Sequence, residues 1–391
     1  MSRRFLLLLT LPIGFIGAAC GDTSDVGSPT TPAPTGGTNA GICGTAPAST
    51  TAMPSGLRKL DGASNSLSGA GATFPAPVYS LWASEYKKAS GVEVAYQSIG
   101  SGGGVKQITE ATVDFGATDA PLKDSEQAAA KKGPILHIPT VFGAVVPTYN
   151  LAGQSSGLVF TGEVLGKIFA GRITTWNDPE VVALNPGASL PAQPIAVVHR
   201  SDGSGTTDIW TDYLTKTSPT WVSVLGQGRS QGKEVAWPTG IGGKGNEGVS
   251  GAVGQTPGAL GYVELTYALE QKLPVGHVKN ATGKAIQPCI ETVTAAASGT
   301  SFPPDLRFSL TNASGPDAYP VTGATWLLVY ENQADEAKAK AMVNYLAWTM
   351  EQGQVLAPTL KYSPLSPELR TLAISQIRKI KLNGAPLAQA G

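Results

Sequence analysis

From about residue 65 onward, apolar positions follow two alternating periods. Short runs rich in β-branched and aromatic residues end in turn formers: "VEVAYQSIG" (92–100), "VDFGATDAP" (113–121), "PIAVVHR" (194–200), "ALGYVEL" (259–265) and "TWLLVYEN" (325–332). They predict strands, as does the longer "PILHIPTVFGAVVPTYN" (134–150). Between them the spacing lengthens to three and four. After Pro75 or Pro77, Val78, Leu81, Trp82 and Tyr86 share one helical face. Ile209, Trp210, Tyr213 and Leu214 share another, and Met342, Tyr345, Leu346 and Thr349 a third. "GEVLGKIFAG" (162–171) and "GNEGVSGAVGQTPG" (245–258) also read as helices. Strand and helix in alternation predict an α/β fold with sheets covered on both sides.

The first residues follow neither period. "MSRRFLLLLTLPIGFIGAAC" has two arginines, a short apolar core and small residues before Cys20, which is the construction of an export signal. The cysteine after small residues matches a bacterial lipoprotein processing site, with Cys20 lipidated; an ordinary cleaved secretory signal is the other reading. Residues 21–62, rich in Gly, Ser, Thr and Pro, read as a flexible tether. Cys43 and Cys289 can pair in an oxidising compartment or remain separate thiols.

Length and charge narrow the function. The 391 residues accommodate about two domains. Twenty-eight Lys+Arg balance 28 Asp+Glu, so no basic stripe points to nucleic acid. Any anion site must be local, built from a few groups.

Such groups occur at glycine-led junctions. "GAGATF" (69–74), "GSGGGVKQ" (100–107) and "GSGTTD" (203–208) each lie between a strand and a helix. Ser204 is the expected N-cap of the helix that follows, where uncovered N–H groups and the helix dipole favour an anion. Arg200 adds full charge. An ordinary capped helix behind a turn is the alternative reading of that stretch. In α/β sheets, junctions of this kind converge at the carboxyl ends of the strands. Asp119, in "FGATDAP", is the odd residue: either a turn former ahead of Pro121 or an acceptor that tolerates only an anion carrying a proton. Asp202 either orients Arg200 or caps the turn. "GIGGKGNEG" (240–248) lacks the hydroxyl of a nucleotide-binding P-loop.

Signals for catalysis are weak. His137, His199 and His277 lack metal-ligand spacing, and no nucleophile elbow, C-x-x-C or H-E-x-x-H appears. No metal, cofactor or enzymatic activity is expected. Glu247 and Glu264 read as solvated or structural carboxylates, Phe74 and Trp210 as packing residues, and "WNDP" (176–179) as a turn whose aromatic could face a partner.

The segments "GAGATFPAPVYSLWASEYKK", "IGSGGGVKQI", "VDFGATDAPL", "RSDGSGTTD", "GGKGNEGVSGAV" and "PGALGYVE", followed by "AYPVTGATW", resemble the substrate-binding protein of the bacterial high-affinity ABC phosphate transporter. The likeness runs in order from about residue 65 to the C-terminal helices and omits the signal and tether. It implies the two-lobed periplasmic-binding-protein fold (type II), hinged, with ligand in the interlobe cleft. Lobe 1 would comprise residues 63–144 and 320–391, and lobe 2 residues 145–319. The resemblance implies phosphate contacts from Thr73, Phe74 (through its N–H), Ser101, Asp119, Arg200, Ser204, Gly205 and Thr206, with Asp202 orienting the arginine. It further implies a monomer in the cell envelope, in the periplasm or on the outer face of the cytoplasmic membrane, that delivers inorganic phosphate to a permease and its ATPase. Arsenate or sulfate capture, a secreted phosphohydrolase and a surface adhesin or sensor are the competing readings. The chain departs from the family in its tether, its cysteines and some turn lengths near 150–160 and 295–305.

Overall fold

The computed structural model describes residues 43–44 and 52–387. The leader, including Cys20, and most of the tether lie outside them. All described residues fall within one compact unit, 37–391, and no helix among them is long and apolar enough to cross a membrane.

Eight strands form its main sheet: β1 (Ser66–Gly71), β2 (Glu93–Ser98), β3 (Phe115–Thr118), β4 (Ile135–Asn150), β5 (Ala196–Arg200), β6 (Ile241–Gly243), β7 (Ala259–Glu264) and β8 (Thr322–Tyr330). Their order is β2-β1-β3-β8-β4-β7-β5-β6. β1–β3 form one parallel group and β5–β7 another; antiparallel β4 and β8 join them. β4 pairs with β8 through residues 135–144 and with β7 through 145–150, so one strand passes from the first half to the second.

Its sequence explains that role. All but the last of its sixteen residues are buried, and with both faces covered it needs no polar alternation. Pro139 cannot donate to the ladder, and the register against β8 slips between Thr325 and Trp326, leaving Thr140 as the extra residue of a bulge. Thr140 Oγ1 then donates to the Thr325 carbonyl at 3.1 Å.

Helices cover both faces. In α1 (Ala76–Ser90) the buried residues are Val78, Tyr79, Trp82 and Tyr86. Tyr79 thus replaces the expected Leu81, which is half-buried, because the Tyr79 hydroxyl reaches Thr140 Oγ1 at 2.7 Å and its ring stacks on Trp82. Burying side chains of this size contributes about 1.5–3 kcal/mol each. α2 (Ser101–Thr109) follows β2, α3 (Gly205–Thr217) follows β5 and α4 (Gly245–Gln255) follows β6. Further along come α5 (Ile290–Ala297), α6 (Glu336–Trp348) and α7 (Pro367–Ile377).

Two local expectations change. Trp176 of "WNDP" is fully buried, its Nε1–H donating to the Gly258 carbonyl at 3.0 Å, so it faces no partner. The last residues assigned to the tether are held against the body. Ser55 N–H donates to Glu351 Oε1 at 2.6 Å, Leu60 exchanges bonds of 2.9 Å with the Asn344 side chain, and Arg370 donates to the Met53 carbonyl. Cys43 and Cys289 are joined in a disulfide across 246 residues, with Cα atoms 5.9 Å apart.

Candidate functional site

The carboxyl ends of β1, β2, β3, β5, β6 and β7 all lead to one region, where the helices that follow direct their amino ends. In the first half β1 ends at Gly71, and Thr73–Pro75 form the turn into α1, with Ala76 N–H on the Thr73 carbonyl at 3.1 Å. β2 leads through Gly100 to Ser101, the first residue of α2. β3 ends at Thr118, ahead of Asp119. In the second half β5 ends on Arg200, and Ser204 caps α3 by accepting the Thr207 N–H at 3.0 Å. The sequence expected both this cap and the strand-to-helix junctions, although Gly69–Gly71 lie within the strand itself.

These residues come together across the two halves. Ser101 Oγ accepts N–H bonds from Asp119 at 3.2 Å and from Gly205 at 3.0 Å, and stands 3.4 Å from Asp119 Oδ2. Gly102 N–H donates to the Gly203 carbonyl at 2.8 Å. The approach requires glycine at two points. At Gly100 (φ 87°) a Cβ would stand 2.4 Å from Asp202 Oδ2; at Gly205 it would stand 2.6 Å from both Asp119 Oδ2 and Ser101 Oγ. Beyond the site, Lys233 pairs with Glu126 at 2.5 Å and Arg307 with Asp124 at 2.7 Å.

Arg200 is fixed in a fork. Its Nε and Nη2 donate to Asp202 Oδ1 and Oδ2 at 2.8 and 2.5 Å, and the Gly245 N–H donates to the same Oδ1 at 3.0 Å. Of the two readings of Asp202, the geometry selects orientation of the arginine. Burial acts to raise the Asp202 carboxyl, but the guanidinium and the Gly245 N–H outweigh it and hold it below its ordinary value. The guanidinium is 1% exposed, so its charge acts in a poorly screened setting.

Asp119 is its opposite in sign and circumstance. Burial pushes its carboxyl up to about 7, against the opposing effects of the Thr325 hydroxyl, the Arg200 charge and Ser101. Among the described residues its Oδ1 has no hydrogen-bond partner. A cavity of about 470 Å³ borders it, lined also by Asp208, Asp212, Arg307 and Trp326. Asp208 is itself raised to about 6, by burial first and then by Asp212.

Three participants escaped the sequence reading. Asn246, the second residue of α4, bonds to Thr73 of the first half and Thr206 of the second, and its Oδ1 accepts the Glu264 N–H at 2.9 Å. Tyr267 donates to the Thr73 carbonyl and Tyr362 to the Phe74 carbonyl, each at 2.6 Å. Glu264 is fully buried behind them, with its Oε2 2.9 Å from the Tyr362 hydroxyl; burial raises its carboxyl to about 8. It is structural, as one reading expected, whereas Glu247 is exposed. Phe74 and Trp210 are packed in the core, and the nearest signal for Asn246 was its place in the glycine-led "GGKGNEG". His137 Nε2 accepts the Leu122 N–H at 3.1 Å, and His199 stacks on Trp237.

The arrangement offers buried hydroxyls, backbone N–H groups and the Arg200 guanidinium, itself paired with Asp202, beside the buried Asp119 carboxyl. That set suits a small oxyanion able to give one proton to Asp119.

Comparison with known proteins agrees. Residues 30–351 match the PBP superfamily domain. The chain is 44% identical over 306 residues to Phosphate-binding protein PstS of Xylella fastidiosa, covering 78% of this chain and 82% of that protein. It is 38% identical over 339 residues to the protein of that name from Methanocaldococcus jannaschii, covering 80% and 85%. Among solved structures, a phosphate-binding protein from Stenotrophomonas maltophilia shares the fold at 19% identity, with a TM-score of 0.63 over 80% of this chain and 94% of that one. A high-affinity periplasmic phosphate-binding protein solved with phosphate shares it at 21% identity and TM-score 0.64, covering 79% and 93%.

Proposed function

Since the chain belongs to the PBP superfamily and, within it, to the PstS phosphate-binding proteins, we propose that it captures inorganic phosphate outside the cytoplasmic membrane and delivers it to an ABC-type import permease. The observation that carries the reading is the convergence of Thr73, Ser101 and Asp119 from one half with Arg200, Ser204, Gly205 and Thr206 from the other. Phosphate would sit among these residues and the Phe74 N–H. Residues 63–144 and 320–391 form one lobe and 145–319 the other. Closure of the lobes excludes water, so a few donors hold the anion without net charge on the protein. A closed pair of lobes also presents the permease with a shape distinct from the open one.

The protein acts as a monomer and as a binding protein, not a hydrolase; its relatives' names as binding proteins support the second part. It is exported and held at the membrane by lipid on Cys20, a reading supported by the leader sequence. Calorimetric titration of the soluble body with phosphate, arsenate and sulfate tests the proposal. Saturable 1:1 phosphate binding with no release of product from phosphomonoesters is expected. Equal affinity for sulfate, or turnover, would overturn it.

A further inference from the structure

A hydroxyl can either give or accept a hydrogen bond, and an anion site works only if its hydroxyls give. Something must therefore set their direction before the ligand arrives. On α3, Thr211 and Thr217 spend their protons within the helix, on the carbonyls of Thr207 and Tyr213, both at 2.7 Å. Thr206 stands in the first turn of the same helix, where no helical carbonyl lies four residues back. Its Oγ1 instead receives an N–H from the Asn246 side chain at 3.0 Å. Thr73 Oγ1, from the other half, receives two: the Asn246 side-chain N–H at 2.8 Å and its backbone N–H at 3.2 Å. Neither threonine hydroxyl gives its proton to another group among the described residues.

The direction of the Asn246 amide is itself fixed. Its Oδ1 accepts the Glu264 backbone N–H at 2.9 Å, a contact the amide nitrogen could not make. With the oxygen committed there, Nδ2 must face the two threonines. Asn246 is completely buried, so no water competes for these bonds.

We infer that Asn246 is a positioning residue that sets proton polarity in the site: its side-chain amide occupies acceptor capacity on Thr73 and Thr206, so both hydroxyls point their protons at the bound anion. It does so across the two halves at once, and the donor set is complete only when they meet. The inference rests on the phosphate reading of the site given above.

Replacement of Asn246 by Asp keeps the shape and reverses the polarity. The carboxylate attracts both hydroxyl protons, and added negative charge also repels phosphate, so affinity should fall on the order of 100-fold. A double-mutant cycle separates the two effects. Thr206→Val should weaken phosphate binding about tenfold in the wild type and have little further effect in Asn246→Asp, where that hydroxyl no longer serves the ligand. If Thr206→Val costs the same factor in both backgrounds, charge repulsion alone explains Asn246→Asp and the inference is wrong. Should Asn246→Asp fail to fold, as judged by its thermal melt, the cycle with Asn246→Ala reads the same coupling. There the untethered hydroxyl donates only part of the time, and the cost of Thr206→Val should drop to about threefold; an unchanged tenfold cost is again a refutation. A wild-type protein that binds no phosphate would instead sink the functional reading itself, together with this one.

Discussion

Replacing Asp119 by Asn separates two consequences of burying a carboxylate beside an anion site. The carboxyl is 2% exposed and raised from 3.8 to about 7, chiefly by burial. Each unit corresponds to about 1.4 kcal/mol, so above pH 8 the ionised group destabilises the ligand-free protein by about 4 kcal/mol. The sign is fixed by which state holds the proton. Between the unfolded value near 3.8 and the folded value near 7, the folded state binds more protons, so stability falls as pH rises through that window. Below it both states are protonated and the penalty vanishes. The Asp119→Asn variant would carry no such dependence. Urea unfolding in phosphate-free buffer should find this variant more stable than the parent, and the advantage should grow by about 2 kcal/mol from pH 5.5 to pH 8.5. Glu264 titrates in both proteins and cancels in the difference. The ligand side should move with it. An amide neither repels nor demands a proton, so the preference for phosphate over sulfate should shrink by about 1–3 kcal/mol in paired titrations at fixed pH and salt. A stability difference that stays flat with pH, together with continued exclusion of sulfate, would refute the assignment of Asp119 as a buried, proton-sensing acceptor.

Arg200→Ala should weaken phosphate binding by about 2–5 kcal/mol in calorimetry, more than Ser204→Ala, and Arg200→Lys should recover only part because the planar fork is lost. Gly205→Ala puts a methyl group where Asp119 and Ser101 stand at 2.6 Å, so the two halves can no longer meet as they do here, and phosphate affinity in calorimetry should drop more than about tenfold. Cys289→Ser opens a 246-residue loop and should lower unfolding stability by about 2–5 kcal/mol in urea while leaving phosphate affinity unchanged.

The strands and helices were legible because burial on both faces leaves long apolar runs and amphipathic helices leave spaced ones. The site was legible for a related reason: an anion seat made of helix amino ends needs glycine and hydroxyls at strand-to-helix junctions, a local pattern. What failed to show was what depends on distant partners. Leu81 and Tyr79 both fit an apolar face, and only the meeting of Tyr79 with Thr140 on β4 decides between them. Trp176 sits in a turn sequence, yet its ring is claimed by the core through Gly258, 82 residues away. Asn246 lies inside a glycine-rich segment that resembles a nucleotide loop; its partners Thr73 and Thr206 come from elements that sequence proximity does not associate with it. The disulfide lies between the two cases: the sequence offers Cys43 and Cys289 as a pair, but nothing local to either decides between a bond and two free thiols.

The position of β8 bears on how the molecule is made. Residues 322–330 fill the slot between β3 and β4, both of which are complete by residue 150. At translation rates of about 5–20 residues per second, both edges wait roughly ten to forty seconds for their shared neighbour. Until it emerges, the first half has a gap in the middle of its sheet and cannot close its core. If the chain is exported, as proposed above, this delay is useful: a body that cannot fold until its last strands arrive remains threadable through a translocation channel. The same delay leaves two apolar strand edges open, inviting association with other nascent chains. The protein should therefore depend on holding chaperones during synthesis far more than its finished, well-packed form suggests.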